Sequence, residues 1–193
     1  PSSLTCFREA SLKSCNLPHR NNIHTKYLCG HNDILSGFLI VGKSPCSEQL
    51  IEEIGLYVKS QGANLSAQDS WLMLRSLKTL GLRVEKQAAN ALQIAQWLKQ
   101  QPEVTDVYYA GLPEHPGFQL NRQQASGSGS MISFKVKDST LARSILGKVK
   151  LIALLKAWGV ESLITHPLYQ THECMPKYLL ERTGLDDRLL RLS

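Results

Sequence analysis

Apolar positions recur along this chain at two spacings, one typical of helices and the other typical of strands. Helical spacing predicts helices at 47–59, 66–84, 86–100 and 140–149. Ser47 stands where the N-cap of the first helix is expected, and the second helix is predicted to start near Ser66. Short apolar or alternating runs predict strands at 38–41, 104–109 and 131–136. The continuous run at 38–41 and the many leucines of 66–84 predict that both elements are buried.

The later elements alternate between helix and strand, which favours a small α+β domain with a mainly antiparallel sheet. One loop in this region superficially resembles a phosphate-binding loop: Ser126 to Ser130 reads Ser-Gly-Ser-Gly-Ser. It runs directly into a predicted strand and lacks the strand-before, helix-after context of a nucleotide site. We interpret it as an ordinary loop.

Composition excludes several classes of protein. The chain has 193 residues, 42% of them hydrophobic, which suffices for the core of one domain or two small ones. The net charge is +6, but the basic residues are scattered, so neither a nucleic-acid interface nor a membrane surface is predicted as a partner. No apolar run has the length of a membrane span, and residues 1–22 lack the apolar core of a secretory signal.

Five cysteines, an odd number without C-x-x-C spacing, argue against a disulfide framework and against structural zinc. A reducing, cytoplasmic location is the simplest interpretation, with an organellar targeting remnant in residues 1–22 as the alternative. No metal site is predicted, because the histidines lack cysteine or carboxylate partners at zinc spacing. The histidines considered were His24, His31, His166 and His172.

Lys26 is the candidate residue for chemistry. Lysine forms an imine with an aldehyde cofactor where desolvation or nearby cations keep its amine unprotonated. It lies between Thr25, a hydroxyl that could hold a phosphate, and the aromatic Tyr27. On residue types alone, an ordinary solvated lysine remains the favoured interpretation.

The sequence around Lys26 favours a different interpretation. Residues 25–37 read T-K-Y-L-C-G-H-N-D-I-L-S-G, which closely resembles the cofactor-lysine segment of the Cys/Met-metabolism family of pyridoxal-phosphate (PLP) enzymes. That family includes cystathionine beta-lyase, cystathionine gamma-synthase, cystathionine gamma-lyase and methionine gamma-lyase. The resemblance continues, in the family's order, through Leu65–Arg83, Tyr108–Pro116, Gly159–Pro167 and Leu189–Ser193.

The resemblance implies an α/β fold, the C-terminal part of a fold-type I PLP-dependent transferase. Residues 23–85 would be a partial PLP-binding large domain and 86–193 a small α+β domain. Residues 1–22 do not resemble the family and are expected to be a loosely structured leader.

The resemblance also implies roles for individual residues. Lys26 would be the Schiff-base lysine and would shuttle the substrate's α-proton, and Thr25 would contact the cofactor phosphate. Arg191 matches the arginine that clamps the substrate carboxylate, a task suited to a planar guanidinium. Ser162 matches a residue that lines the substrate pocket.

Departures from the family pattern predict an incomplete site. Ile23 replaces a phosphate-binding hydroxyl, so phosphate anchoring should be weaker. The family's stacking tyrosine, pyridine-nitrogen aspartate and glycine-containing phosphate loop lie upstream of the lysine and have no counterpart here. Residues 156–159 read Lys-Ala-Trp-Gly where the family has Ser-Leu-Gly-Gly, and Ser193 precedes the family's usual ending.

Two functions of different classes therefore remain open. The first is a transsulfuration enzyme, a homo-oligomer acting on cystathionine or a related sulfur amino acid. The wording at 108–117 leans toward beta-lyase over gamma-synthase or gamma-lyase. The second is a truncated, non-catalytic remnant or association module, which predicts exposed apolar surface where the missing half would pack.

Overall fold

The structure, a computed structural model, describes residues 19–23, 27–42, 45, 47–150, 152–154, 160–170 and 177–193. Two residues to which the resemblance assigns chemistry, Thr25 and Lys26, lie outside the described residues. His24 and His172, two of the histidines considered for metal binding, and residues 156–159 also lie outside them.

Strands and helices follow one another along the described chain. The strands are β1 His19–Ile23, β2 Gly37–Val41, β3 Val104–Tyr108, β4 Ile132–Val136, β5 Ala153–Leu154, β6 Leu163–Thr165 and β7 Leu189–Leu192. The helices are α1 Ser47–Gln61, α2 Ala67–Leu77, α3 Leu80–Lys99, α4 Phe118–Gln124, α5 Ser139–Lys148, α6 Pro167–Gln170 and α7 Lys177–Thr183.

The strands form two sheets. β1 and β2 pair antiparallel, with Ile23 opposite Gly37. The larger sheet has the order β3-β4-β7-β6-β5, and among these strands only β5 and β6 pair parallel. The prediction of a mainly antiparallel sheet is confirmed.

The main core lies between one face of this larger sheet and the helices α3 and α5. Alternate residues of β4 are buried against these helices, since side chains along a strand point to opposite faces. Ala91 and Ala95 of α3 and Ala142 of α5 are buried in this core, and side chains this small let the helices approach the sheet closely. The other core members are Leu98, Tyr109, Leu112, Ile132, Phe134, Val136, Ile164, Leu190 and Leu192.

The helix predicted over 66–84 is divided in the structure. The predicted start near Ser66 is confirmed: Ser66 is the N-cap of α2, and its hydroxyl accepts a hydrogen bond from the backbone N–H of Asp69 at 3.0 Å. However, α2 ends at Leu77 and α3 begins at Leu80. Thr79 between them has φ −108° and ψ 3°, outside helical geometry. Hydrophobic spacing continues across this break, so the pattern could not reveal it.

Two predictions of burial were wrong. Ile40, in the middle of β2, is 52% exposed. Trp71 and Leu74 of α2 and Leu82 of α3 are each more than half exposed. These elements carry apolar side chains on a face that no described residue covers.

Regular structure also occurs where none was expected. Residues 19–22, predicted to be loose, belong to β1. Antiparallel pairing with β2 supplies hydrogen bonds that local periodicity does not encode. The polar stretch 117–124 contains α4, a short helix without a buried face.

Candidate functional site

The candidate site is built around the segment that follows Lys26. This post-lysine segment, residues 27–37, starts as a turn and continues through two residues with positive φ, Gly30 at 79° and Asn32 at 56°. Its inner side is anchored by Cys29 and Ile34, which are buried in a small cluster with Met73 of α2. The segment is therefore a packed loop attached to α2.

Arg83 of α3 holds the start of the post-lysine segment through its backbone. Its Nη1 donates to the Tyr27 carbonyl at 2.8 Å, and its Nη2 donates to the Leu28 carbonyl at 3.1 Å. The same guanidinium donates to the Ser76 carbonyl at 3.0 Å and to the Thr79 hydroxyl at 3.0 Å. One side chain thus joins three parts of the chain: the end of α2, the start of α3 and the residues just after Lys26.

Gly30 makes room for this guanidinium. A Cβ built on Gly30 would lie 2.4 Å from Nη1 of Arg83, well inside van der Waals contact. The positive φ of 79° is itself a conformation that glycine adopts without strain. Both the backbone conformation and the close approach of Arg83 require glycine here.

The side chain of Tyr27 reaches the loop before β4. Its hydroxyl lies 2.6 Å from the hydroxyl of Ser130, which is buried. Tyr109 supports this loop by donating to the Gly129 carbonyl at 2.9 Å and to the Ala88 carbonyl of α3 at 3.3 Å. Burial, together with the neighbouring Tyr27, raises the pKa of Tyr109, so its hydroxyl remains a proton donor.

A second polar contact joins the post-lysine segment to the chain before β6. The Asn32 side-chain amide donates to Glu161 at 3.2 Å. Ser162 follows directly, and this exposed residue lines a cavity of about 150 Å³. The lining of the cavity combines hydroxyl, amide and carboxylate groups with aliphatic groups. Its other lining residues are Tyr27, Gln87, Asn90, Ala91, Ile94, Ser130, Ile132, Ile152, Val160, Glu161, Leu192 and Ser193.

Arg191 is not among the residues that line this cavity. On β7 it pairs with Ser133 of β4 and Thr165 of β6, and cross-strand partners share a face of the sheet. Leu190 and Leu192, its neighbours on the other face, belong to the main core. Burial lowers the pKa of Arg191 from its ordinary value. The structure therefore brings Ser162 and Tyr27 to one cavity, which Leu192 also lines, and places Arg191 on the opposite face of the sheet from Leu192.

The size of this cavity limits what it can hold. At about 150 Å³ the cavity is smaller than the roughly 300–1,000 Å³ of typical ligand pockets, so it can hold a small amino-acid side chain but not a whole cofactor. Its mixed polar and aliphatic lining suits such a side chain. The residues that would hold the cofactor itself, Thr25 and Lys26, lie outside the described residues.

The described part of the chain contains neither a metal-binding cluster nor a membrane-spanning helix. No group of three or more His, Cys, Asp or Glu side chains there could hold a metal ion. No helix there is long and apolar enough to cross a membrane.

Arg83, Tyr27 and Ser130 are the site residues that sequence reasoning missed. Each stands inside or beside a stretch that was already noted: 27–37, 65–83 and the serine-glycine loop. Their contacts span between 55 and 103 positions of the chain. No rule of sequence spacing connects residues so far apart. The available signal was the position of Arg83 at the end of the motif block Leu65–Arg83.

Comparison with known proteins relates the whole region after residue 21 to one family. A profile of the Cys/Met metabolism PLP-dependent enzymes matches residues 22–193. Cystathionine beta-lyase of Lactococcus lactis subsp. cremoris is 42% identical over 170 residues, which are 88% of this chain and 44% of that protein.

Solved structures of the family superpose on the fold described above. Cystathionine gamma-lyase from Lactobacillus plantarum, complexed with L-serine, matches with a TM-score of 0.82 and 36% identity, over 91% of this chain and 45% of that one. Cystathionine gamma-synthase from Xanthomonas oryzae pv. oryzae, in complex with cystathionine, matches with a TM-score of 0.81 and 34% identity over the same shares.

The chain thus spans less than half the length of the relatives it matches. Its α/β fold aligns with part of fold-type I PLP-dependent enzymes. The profile match extends from just before the candidate lysine to the final residue. By this match and by its fold, the chain belongs to the Cys/Met metabolism family of PLP-dependent enzymes.

Proposed function

We propose that this chain forms the lysine-bearing part of a PLP-dependent enzyme that cleaves a C–S bond in cystathionine or a related sulfur amino acid. The observation that carries the proposal is the family match over residues 22–193, a range that includes Lys26, Ser162 and Arg191. Polar contacts from Tyr27 to Ser130 and from Asn32 to Glu161 tie the segment after Lys26 to the rest of the fold.

Roles follow from the chemistry of each side chain. When bound, PLP supplies an electron sink for the substrate's α-carbon. Lys26 would attach to the cofactor and then move the α-proton as a general base, while Thr25 would donate to the phosphate. Ser162 would contact the bound amino acid. Arg191 would bind its carboxylate, an attraction that is stronger in a partly buried, low-dielectric position.

Beta-lyase activity is the specific reaction that we propose. The relative from Lactococcus lactis carries that name, and the wording at 108–117 leans the same way. Gamma-lyase and gamma-synthase are the alternatives, since the solved structures above carry those names. We further propose a cytoplasmic site of action, from the cysteine usage, and the division into a partial large domain at 23–85 and a small domain at 86–193.

The experiment that tests this function is covalent trapping of PLP. The chain is incubated with PLP, scanned for a visible absorbance band, reduced with borohydride and mapped by peptide mass spectrometry. A discrete band with label at Lys26, lost in Lys26→Ala and kept in Lys78→Ala, supports the proposal. Lys78 lies just after α2 and has an exposed side chain, so it is a matched control. Label spread over many lysines without a band would refute cofactor binding by this chain.

The exposed apolar side chains favour a second candidate function, an association module. Trp71, Leu74 and Leu82 lie on α2 and the start of α3, and Leu35, at 83% exposed, lies in the post-lysine segment. We propose that this surface packs against another copy of the chain or against a polypeptide supplying the rest of the family fold. Exposed apolar patches commonly mark such interfaces.

Sedimentation velocity tests the association module without reference to catalysis. The wild-type chain is expected to self-associate, and Leu74→Gln combined with Leu82→Gln is expected to shift it toward monomer. Leu120→Gln, at an equally exposed leucine of α4 away from this surface, is the control. A wild-type chain that remains monomeric at high concentration would refute self-association, and titration with a polypeptide that supplies the rest of the family fold would then test the other partner.

A further inference from the structure

We infer that Arg83 is the positioning residue for Lys26. The inference rests on the proposed function and adds a residue to it that neither the motif comparison nor the family resemblance assigned. Arg83 donates to the carbonyls of Tyr27 and Leu28, the first two residues after Lys26. Tyr27 is covalently joined to Lys26, so this guanidinium restrains the backbone one residue away from the candidate lysine.

The guanidinium is used as a rigid fork. Its Nη1 and Nη2 reach two successive carbonyls, at 2.8 and 3.1 Å, from two nitrogens held in one plane, a geometry that the single nitrogen of a lysine ammonium does not reproduce. Its Nη2 also donates to the Ser76 carbonyl at 3.0 Å, one residue before the end of α2. A cation is favoured at that end of a helix by the helix dipole. Nε donates to the Thr79 hydroxyl at 3.0 Å, which orients the plane of the fork.

The post-lysine segment is held from other directions as well. The Gly30 backbone lies against the guanidinium so closely that a Cβ there would be 2.4 Å from Nη1. The Tyr27 side chain is held at its far end by Ser130, at 2.6 Å. Arg83 therefore fixes the backbone of Tyr27 while Ser130 fixes its ring. Catalytic geometry is sensitive to this kind of restraint, since displacement by about 1 Å can cost roughly a hundredfold in rate.

Variants of Arg83 separate a positioning role from a general structural one. Arg83→Met removes the fork and keeps the aliphatic stem, and Arg83→Lys retains the charge but can reach only one carbonyl well. Arg75→Met is the control, because Arg75 lies on α2 over the ring of Trp71, at 6.0 Å, and its side chain is exposed. If Arg83→Met fails to fold, Thr79→Val replaces it, since it removes the acceptor for Nε and one 3.3 Å bond to the Ser76 carbonyl but leaves the guanidinium in place.

Two readouts are taken on the full chain. The first is amide hydrogen exchange of residues 28–31, compared with the strand peptides of β4 and β7. We expect exchange at 28–31 to rise about tenfold in Arg83→Met and less in Arg83→Lys, with the strands unchanged. The second is the pH profile and site selectivity of PLP incorporation at Lys26 after borohydride reduction. We expect selectivity for Lys26 to fall about tenfold in Arg83→Met, with partial recovery in Arg83→Lys.

The outcomes distinguish this inference from the proposed function. Faster exchange at 28–31 with unchanged labelling of Lys26 would overturn the inference, since Arg83 would then only stabilise the loop. If PLP does not label Lys26 in the wild-type chain, the proposed function fails. Amide hydrogen exchange at residues 28–31 then tests the role of Arg83 by itself. In that case, loss of protection in Arg83→Met supports its control of the segment after Lys26, and retained protection overturns it.

Discussion

The hydroxyls of Tyr27 and Ser130 lie 2.6 Å apart although 103 positions of the chain separate them. This bond joins the residue after the candidate lysine to the loop that leads into β4. The loop is itself supported by Tyr109, which donates to the Gly129 carbonyl. Through residues 129 and 130, these two hydrogen bonds connect Tyr109 of the main core to the side chain of the residue next to Lys26.

We expect Tyr27→Phe and Ser130→Ala each to destabilise the protein by about 1 kcal/mol, the usual net contribution of such a hydrogen bond. In the double variant the losses should not add, because one bond is removed only once. Urea denaturation of the four proteins measures this coupling. Tyr108→Phe, at a 43% exposed tyrosine of β3, is the control and should have little effect. Fully additive losses would show that the two hydroxyls do not interact in solution.

Gly111 packs against the ring of Tyr109, and Gly81, which has open space around it, serves as its control. A Cβ on Gly111 would lie 2.4 Å from Cε1 of Tyr109, whereas one on Gly81 would meet nothing within 4 Å. We expect Gly111→Ala to destabilise by about 1–3 kcal/mol through overpacking. Gly81→Ala should stabilise α3 by about 0.5–1 kcal/mol through helix propensity. Thermal denaturation measures both, and a neutral Gly111→Ala would mean that the Tyr109 ring can move aside.

Asp186 is expected to make stability depend on pH. Burial acts to raise the pKa of its carboxyl, but hydrogen bonds from Lys135 at 2.9 Å and Arg188 at 2.8 Å outweigh burial and hold this pKa below its ordinary value. Because the pKa is lower in the folded than in the unfolded state, the carboxylate stabilises the fold at neutral pH. That contribution is lost as pH falls below about 4 and through the folded pKa.

Asp186→Asn should therefore cost about 1 kcal/mol at pH 7, a modest value suited to a partly exposed pair. The difference from wild type should shrink steadily as pH is lowered toward 3. Denaturation curves at pH 7, 5 and 3 measure it. Glu114→Gln, which affects a more exposed pair with Lys99, is the comparison and should cost less at every pH. A difference that stays constant with pH would contradict the role given to the carboxylate.

Arg191 is expected to bind the carboxylate of the substrate. Arg191→Lys keeps the charge but loses the two-pronged geometry, so we expect the Kd for cystathionine to rise about tenfold. Calorimetric titration measures the Kd, and the reverse-phase elution of cystathionine confirms that the ligand is intact. Arg188→Lys, on the same stretch but paired with Asp186, should leave the Kd unchanged. Equal effects of the two substitutions would remove Arg191 from the binding site.

Local pattern was sufficient for several elements. The capping serine at Ser66, the strand at 104–108 and the helix ending at Lys99 all follow from residues within a few positions of each other. The break at Thr79 was missed because leucines on both sides keep one period through it. The strand β1 was missed because its partner, β2, starts 14 positions beyond its end.

The sequence by itself determined the family, because its motif blocks have the residues and the order found in that family. The family resemblance then supplied Lys26, Thr25, Ser162 and Arg191 as candidate site residues. Residue types and short spacings carry that information. Only the tertiary structure decided that Arg83 and Ser130 hold the segment after Lys26, and that Ser162 shares a cavity with Tyr27 while Arg191 lies outside it. Such contacts depend on how the sheet, α2 and α3 pack, because a hydrogen bond is set by distance in space, which local sequence does not encode.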